Sequence, residues 1–148
     1  MPTAKVFKIQ SRTKANLMIL ACDLMTLNPR TILSSAPMGE AMDLLHALDV
    51  RHLPVVDEHG VLVGMLSDRD LRAVDGSSAG SLRPLDQPVQ TFMSSAVATV
   101  DMEADALEIV DLMLDNKIGA VPVLDGDGGL VGIVSYVDLL REMSTLIE

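Results

Sequence analysis

The stretch Pro54-Val55-Val56-Asp57-Glu58-His59-Gly60-Val61-Leu62-Val63-Gly64-Met65-Leu66-Ser67-Asp68-Arg69-Asp70-Leu71 decides how this chain is read, because it occurs twice. After a shift of 68 positions (122 − 54), Pro122-Val123-Leu124-Asp125 opens the same run. Gly128 then stands for Gly60, Leu130-Val131-Gly132 for Leu62-Val63-Gly64, Ser135 for Ser67 and Asp138-Leu139 for Asp70-Leu71. Upstream, the same shift carries Met25 onto Met93, Thr31 onto Thr99, Glu40 onto Glu108 and Asp43-Leu44 onto Asp111-Leu112. Residues 23–72 and 91–140 are therefore two copies of one supersecondary unit, in register without a gap. Two copies are too few for a solenoid and point to a pseudo-twofold pair of half-domains.

Within the first copy, Ala41, Leu44, Leu45 and Leu48 recur at helical spacing and predict a helix over 36–48. His52–Val56 is a short β-rich run with Pro54 at its centre, which predicts an edge or irregular strand. Asp57–Gly60 reads as the turn into a second strand, Val61–Ser67, and a helix begins at Asp68. In the second copy the spacing predicts a helix over 104–118, with Leu107, Val110, Leu114 and Ile118 on one face. Strands at Ala120–Leu124 and Leu130–Val134 and a closing helix at Tyr136–Leu146 complete it. Each copy is then β-α-β-β-α, an α/β fold too small to bury a stable core alone. Asp75-Gly-Ser-Ser-Ala-Gly-Ser81 has the composition of a linker.

The ordered set of Met, Thr-Ile/Val, amphipathic stretch, Pro-Val-x-Asp, Gly turn and Gly-x-x-Ser-x-x-Asp-Leu resembles the cystathionine-β-synthase (CBS) domain. Found twice, it resembles the tandem CBS pair of a stand-alone CBS-domain protein. The expected layout is an N-terminal extension over 1–20, repeat 1 over 21–75, a linker over 76–88 and repeat 2 over 89–146. The resemblance implies a non-catalytic regulator that binds an adenosine nucleotide (AMP, ADP or ATP) between the repeats, requires no cofactor, forms a homodimer and signals to a regulated protein not named by the sequence. It also implies the contacts. Asp70 and Asp138 would hold ribose, Ser67 and Ser135 ribose or phosphate, and Arg69, Arg51 and His52 phosphate. Thr31 and Val50 would line the first site, and Thr99, Ile118, Gly119 and Ala120 the second, where Gly119-Ala120 leaves room for an adenine.

The residues themselves leave two readings open at Gly64–Leu71. Free N–H groups at a strand-to-helix junction favour an anion. Ser67 is equally suited to cap the helix, with Asp68 and Asp70 favouring its dipole. Arg51 and His52 can likewise be phosphate ligands, or a solvated strand end and a half-buried neighbour. Val137 replaces Arg69 in the second copy, so the two sites are expected to be unequal, and phosphate at the second would need Lys117 or a residue from the other copy.

Composition narrows the function classes. The chain has 148 residues, 49% of them hydrophobic, with no Trp, one Tyr, two Phe and ten Met, so the core must be aliphatic with Met as filler. A net charge of −10 speaks against nucleic acid and against an anionic membrane surface as partners. One cysteine allows no intrachain disulfide and fits a cytoplasmic location. Lys5, Lys8, Arg12 and Lys14 precede the six apolar residues Leu17–Cys22 in the manner of a lipoprotein leader. That run is shorter than the roughly 7–15 residues an export signal needs, so a helix leading into the fold is expected instead. Asp125-Gly-Asp-Gly-Gly129 looks like a calcium loop but lacks the Glu an EF-hand places at its end, and a hairpin turn is expected. No metal, nucleophile or P-loop pattern is present. The competing readings are a ligand-free dimerisation module and a divalent-cation sensor drawing on the 21 acidic residues.

Overall fold

The computed structural model describes residues 5–8, 19–75 and 83–147. In chain order the elements are β1 (Lys5–Lys8), α1 (Ala21–Leu24), β2 (Thr26–Leu27), β3 (Ile32–Leu33), α2 (Met38–Leu48), β4 (His52–Val56), β5 (Leu62–Ser67) and α3 (Asp68–Asp75). Two 3₁₀ turns, Pro84–Asp86 and Val89–Thr91, lead to β6 (Ala96–Asp101), α4 (Ala106–Asn116), β7 (Ala120–Leu124), β8 (Leu130–Ser135) and α5 (Tyr136–Ile147). They form two compact units, one built on Arg30–Val97 and the other on Phe7–Pro29 with Ala98–Glu148. The β-α-β-β-α order holds in each. Of the expected linker, 76–82 lies outside the described residues, as do Arg12, Lys14, Leu17 and Met18 of the leader.

The first unit carries a sheet of order β3-β4-β5, with β3 parallel to β4 and β4 antiparallel to β5. The β4–β5 turn is fixed by Asp57, whose Oδ1 accepts the N–H groups of His59 (2.9 Å) and Val61 (3.0 Å). Gly60 there has φ +80°, a conformation that costs glycine little. The equivalent Asp125 accepts from Asp127 (2.9 Å) and Gly129 (2.8 Å), with Gly128 at φ +84°. The Asp125–Gly129 stretch is thus the expected hairpin turn.

The compact units do not coincide with the sequence copies. Residues 87–94, the end of the expected linker and the start of the second repeat, belong to the first unit. The Gln87 carbonyl caps the Met38 N–H at the start of α2 (2.9 Å), Val89 N–H donates to the Ala36 carbonyl, and Ser94 and Met65 exchange backbone bonds. Residues 19–27 do the same in the second unit. Ile19 carbonyl accepts from Ala106 N–H at the start of α4 (2.9 Å), Ala21 N–H donates to Ala104 carbonyl, and β2 pairs with β8 through Thr26–Ile133 and Leu27–Gly132. The second sheet therefore has the order β1-β6-β7-β8-β2. Each leading methionine lies on a buried glycine of the receiving sheet, Met93 on Gly64 and Met25 on Gly132.

Both cores are aliphatic. The first gathers Ile32, Met38, Leu45, Leu53, Val55, Leu66 and Val89, and the second Val100, Ile109, Leu112, Met113, Val121, Val123 and Val134.

Three expectations need correction. The Pro-centred strand β4 is central, not an edge strand, and so is its counterpart β7. Proline is tolerated because their parallel neighbours pair only beyond it, at Val55–Val56 and Val123–Leu124. Both strands are nevertheless irregular, with register shifts at those same residues. The helices are shorter than predicted, starting at Met38 and Ala106, because the exchanged segments supply their N-terminal carbonyl acceptors. On α4 the inward face is Ile109, Leu112 and Met113, whereas Leu107 (41% exposed) and Leu114 (70%) face solvent and Ile118 lies beyond the helix. The predicted leader helix is the single turn α1.

A Cβ at position 132 would lie 2.8 Å from Met25 Cγ and 3.0 Å from Met25 Cβ. Gly132→Ala should lower stability by about 1–3 kcal/mol, as overpacking does. Gly126→Ala, with nothing within 4 Å, should change it by less than about 0.5 kcal/mol. Urea unfolding of the two variants checks this, and equal midpoints would contradict the packing account.

Candidate functional site

In the first unit the candidate residues gather at one end of the sheet, where β3 and β4 begin and β5 ends. Asp49, at φ +52°, turns the chain out of α2, and Val50 N–H closes onto the Leu45 carbonyl (3.2 Å). That turn delivers Val50, Arg51 and His52 to the sheet end, where His52 pairs with Ser67 and the Arg51 carbonyl accepts the Asp68 N–H (2.8 Å). Val50, Arg51 and Arg69 are exposed, and Thr31 and His52 half-buried. Burial holds His52 below its usual pKa. Asp70 opposes that shift, Arg51 adds to it, and Asp68 opposes it more weakly.

Ser67 and Asp70 form a reciprocal cap on α3. Asp70 Oδ2 accepts from the Ser67 N–H (2.8 Å) and Oγ (3.0 Å), and Ser67 Oγ accepts from the Asp70 N–H (3.3 Å). The capping role is therefore in place. Both bonds to the carboxylate use Oδ2, so the cap leaves Oδ1 for another donor. A serine–carboxylate pair of this kind can hold the helix start and present one fixed oxygen to a hydroxyl at once.

The second unit repeats this geometry. Asp138 Oδ2 accepts from Ser135 N–H (2.8 Å) and Oγ (3.0 Å), and Asp138 N–H donates to Ser135 Oγ (3.3 Å). The Gly119 carbonyl accepts from the Tyr136 N–H at 2.9 Å, matching Arg51 and Asp68. Lys117, at φ +54°, makes the turn into Ile118 and Gly119, both half-buried, and Ala120, which is buried. Its ammonium-bearing side chain is exposed.

The differences are at the rim. Val137 is 41% exposed where the first unit has Arg69. Asp138 Oδ1 lies 3.7 Å from Arg141 Nη1, a cation with no counterpart in the first unit, where Ala73 stands at that position. The spacing of three on a helix was the signal for this pair, and the sequence reading missed it. Arg141 is 74% exposed, so the pair adds little stability. Thr99 is fully buried, and its Oγ1 donates to the Phe7 carbonyl at 3.1 Å. Among the described residues no group of three or more His, Cys, Asp or Glu is placed to hold a metal, and no helix is long and apolar enough to cross a membrane.

Comparison with known proteins agrees with this duplication. The CBS domain family model matches twice, at residues 21–76 and 89–145. A CBS domain-containing protein of Dictyostelium discoideum is 31% identical over 137 residues, covering 88% of this chain and 94% of that protein. An inosine-5′-monophosphate dehydrogenase of Methanocaldococcus jannaschii is 26% identical over 137 residues, but the match spans only 25% of the enzyme's length. Among solved structures, CBSX2 in complex with AMP is 28% identical with a TM-score of 0.75, covering 87% of this chain and 98% of that one. A CBS domain pair in complex with 5′-methylthioadenosine and S-adenosyl-L-methionine is 27% identical with a TM-score of 0.78, covering 87% and 98%.

The His52 environment sets a pH dependence. Its folded pKa is depressed below the ordinary 6.5, so the unfolded chain takes up the proton first as pH falls. The stability this neutral imidazole contributes is present above that value and lost as pH drops through the folded pKa. Urea unfolding between about pH 7.5 and about pH 5 should show a loss that His52→Gln reduces. An identical pH profile in wild type and variant would contradict it.

Proposed function

The chain belongs to the CBS-domain family, and from that premise we propose that it is a non-catalytic regulatory module that binds an adenosine-type nucleotide at Ser67–Asp70 and a second adenosyl ligand at Ser135–Asp138. The observation that carries this reading is the pair of identical serine–carboxylate caps, each with Oδ2 engaged and Oδ1 outside the cap. A carboxylate oxygen held in this way suits a ribose hydroxyl, while the N–H groups of Ser67, Asp68 and Asp70 are already bonded within the protein. Relatives solved with AMP and with S-adenosyl-L-methionine support the ligand class.

The two sites would differ in charge. Arg51, Arg69 and His52 lie beside the first cap in the chain and would favour a phosphorylated ligand. The second has Val137 in place of Arg69, which would suit a less anionic adenosyl group, and its Arg141 is set against Asp138 Oδ1. Protonation of His52 next to bound phosphate would strengthen the first site as pH falls.

The signal would travel through assembly. Leu107, Leu114, Leu140, Met143, Leu146 and Ile147 are between 41% and 75% exposed on α4 and α5. Apolar faces of this kind mark interfaces and favour a homodimer. They also favour the alternative of a ligand-free dimerisation module, which predicts the same dimer and no response to nucleotide. Light scattering that finds a monomer at high concentration, with and without AMP, removes the dimer from either reading.

Thermal denaturation with AMP tests the binding claim. A ligand at a hundredfold excess over Kd stabilises by about 2.7 kcal/mol. Asp70→Ala should lose most of the shift contributed by the first site, and Asp138→Ala should retain it. A wild-type protein unmoved by AMP, ADP, ATP and S-adenosyl-L-methionine would leave the ligand-free module as the function.

A further inference from the structure

Each exchanged segment joins its receiving strand by a short ladder with a methionine just ahead of it. β2 pairs with β8 only at Thr26–Ile133 and Leu27–Gly132, and Met25 precedes Thr26. In the first unit Ser94 exchanges two backbone bonds with Met65, each 2.9 Å long, and Met93 precedes Ser94. A Cβ built on Gly132 would meet Met25 Sδ first and Cγ next, at 2.8 Å, and one on Gly64 would meet Met93 Sδ first and Cγ at 3.0 Å. In both units the sulfur is thus the atom seated on the glycine. Both side chains also pack against a core, Met25 against that of Ile109 and Val123 and Met93 against that of Leu53 and Leu66.

The described methionines differ in how far an oxidant reaches them and in what they hold. Met102 and Met143 are 36% and 54% exposed, whereas Met38 and Met113 are buried. Met25 and Met93 are half-buried, both reachable and structural. Met42 and Met65 are half-buried too, but neither is among the atoms nearest a described glycine. We propose that Met25 and Met93 are a matched pair of oxidation sites, at which a peroxide unseats the exchanged segments. A sulfur lone pair takes one peroxide oxygen, so that an S–O bond forms, the O–O bond breaks and water leaves. The sulfur gives up two electrons and the peroxide is reduced by them.

The product is what makes the site a switch. A sulfoxide is polar where the thioether was apolar and adaptable. Its oxygen, set among aliphatic neighbours, costs free energy unless it finds a donor. Ladders this short resist opening weakly once the packing beside them is lost. The same segments bring the Gln87 and Ile19 carbonyls to the first turns of α2 and α4, so their release frays two helix starts as well. One shift of 68 relates Met25 to Met93 and Gly132 to Gly64, so one oxidant acts on both units alike. Methionine sulfoxide reductases reverse the change.

Hydrogen peroxide treatment of the full chain tests this, with peptide mass spectrometry following each methionine and the melting temperature following the fold. Met102 and Met143 should react first, Met25 and Met93 next, and Met38 and Met113 last. The melting temperature should hold through the first stage and fall by several degrees through the second, and sulfoxide reductases should restore it. The double variant Met25→Leu/Met93→Leu removes both sulfurs at nearly constant volume and should keep its melting temperature at the same dose. A fall in that variant as large as in wild type overturns the proposal. The wild-type course decides the matter without the variant. Full conversion of Met25 and Met93 with no fall overturns the proposal, and so do Met25 and Met93 that stay reduced until Met38 and Met113 react.

Discussion

Each unit of this protein is completed by a segment that belongs, in sequence, to the other copy. Met93-Ser94 joins β5 of the first unit, and Met25-Thr26-Leu27 joins β8 of the second. The contact that fixes each join is a methionine side chain seated on a glycine where no Cβ would fit. The same segments bring the backbone carbonyls of Gln87 and Ile19 to the first turns of α2 and α4. Those helix starts have orphan N–H groups that must find acceptors. Pro37 offers no side-chain cap, so Gln87 fills that need. A unit of three short strands and two helices buries too little surface for stability by itself, and the exchange adds β2 to the second sheet and extends both cores.

With the sheets fixed, the caps follow. β5 and β8 end at Ser67 and Ser135, and the helices start at the next residue, so each serine stands at the N-cap with an aspartate three positions on. That arrangement satisfies helix donors and orients a carboxylate in one step. The cap engages Oδ2 of Asp70 together with the Ser67 N–H and hydroxyl, so what capping leaves to a binding role at Gly64–Leu71 is Oδ1 of Asp70. What distinguishes the units is the charge beside the caps. The first has Arg51, Arg69 and His52 nearby in the chain. The second has Val137 and Arg141.

The duplication, the α/β class, the strand β7 and both hairpin turns could be read from residue order, because each depends on local pattern or on self-similarity. The exchange could not be read that way. Met25 and Met93 belong to their own copies by alignment, and only tertiary pairing assigns them to the other unit. The position of Pro54 misled for a related reason: the rule against proline in central strands assumes full-length neighbours, and β3 is two residues long. On α4 the sequence carries two apolar stripes, Leu107-Val110-Leu114 and Ile109-Leu112-Met113, and periodicity alone does not choose between them. Arg141 went unnoticed because the first copy has alanine in its place.

If the serine–carboxylate cap of the first unit is also its ligand site, AMP must register at its amides. The most direct measurement is an AMP titration followed by backbone amide NMR. The predicted result is saturable shifts at the amides of Ser67, Asp68 and Asp70 and at His52, with Asp70→Asn abolishing them. Amides at those positions that stay in place under AMP while the protein melts higher would put the ligand elsewhere and contradict the account.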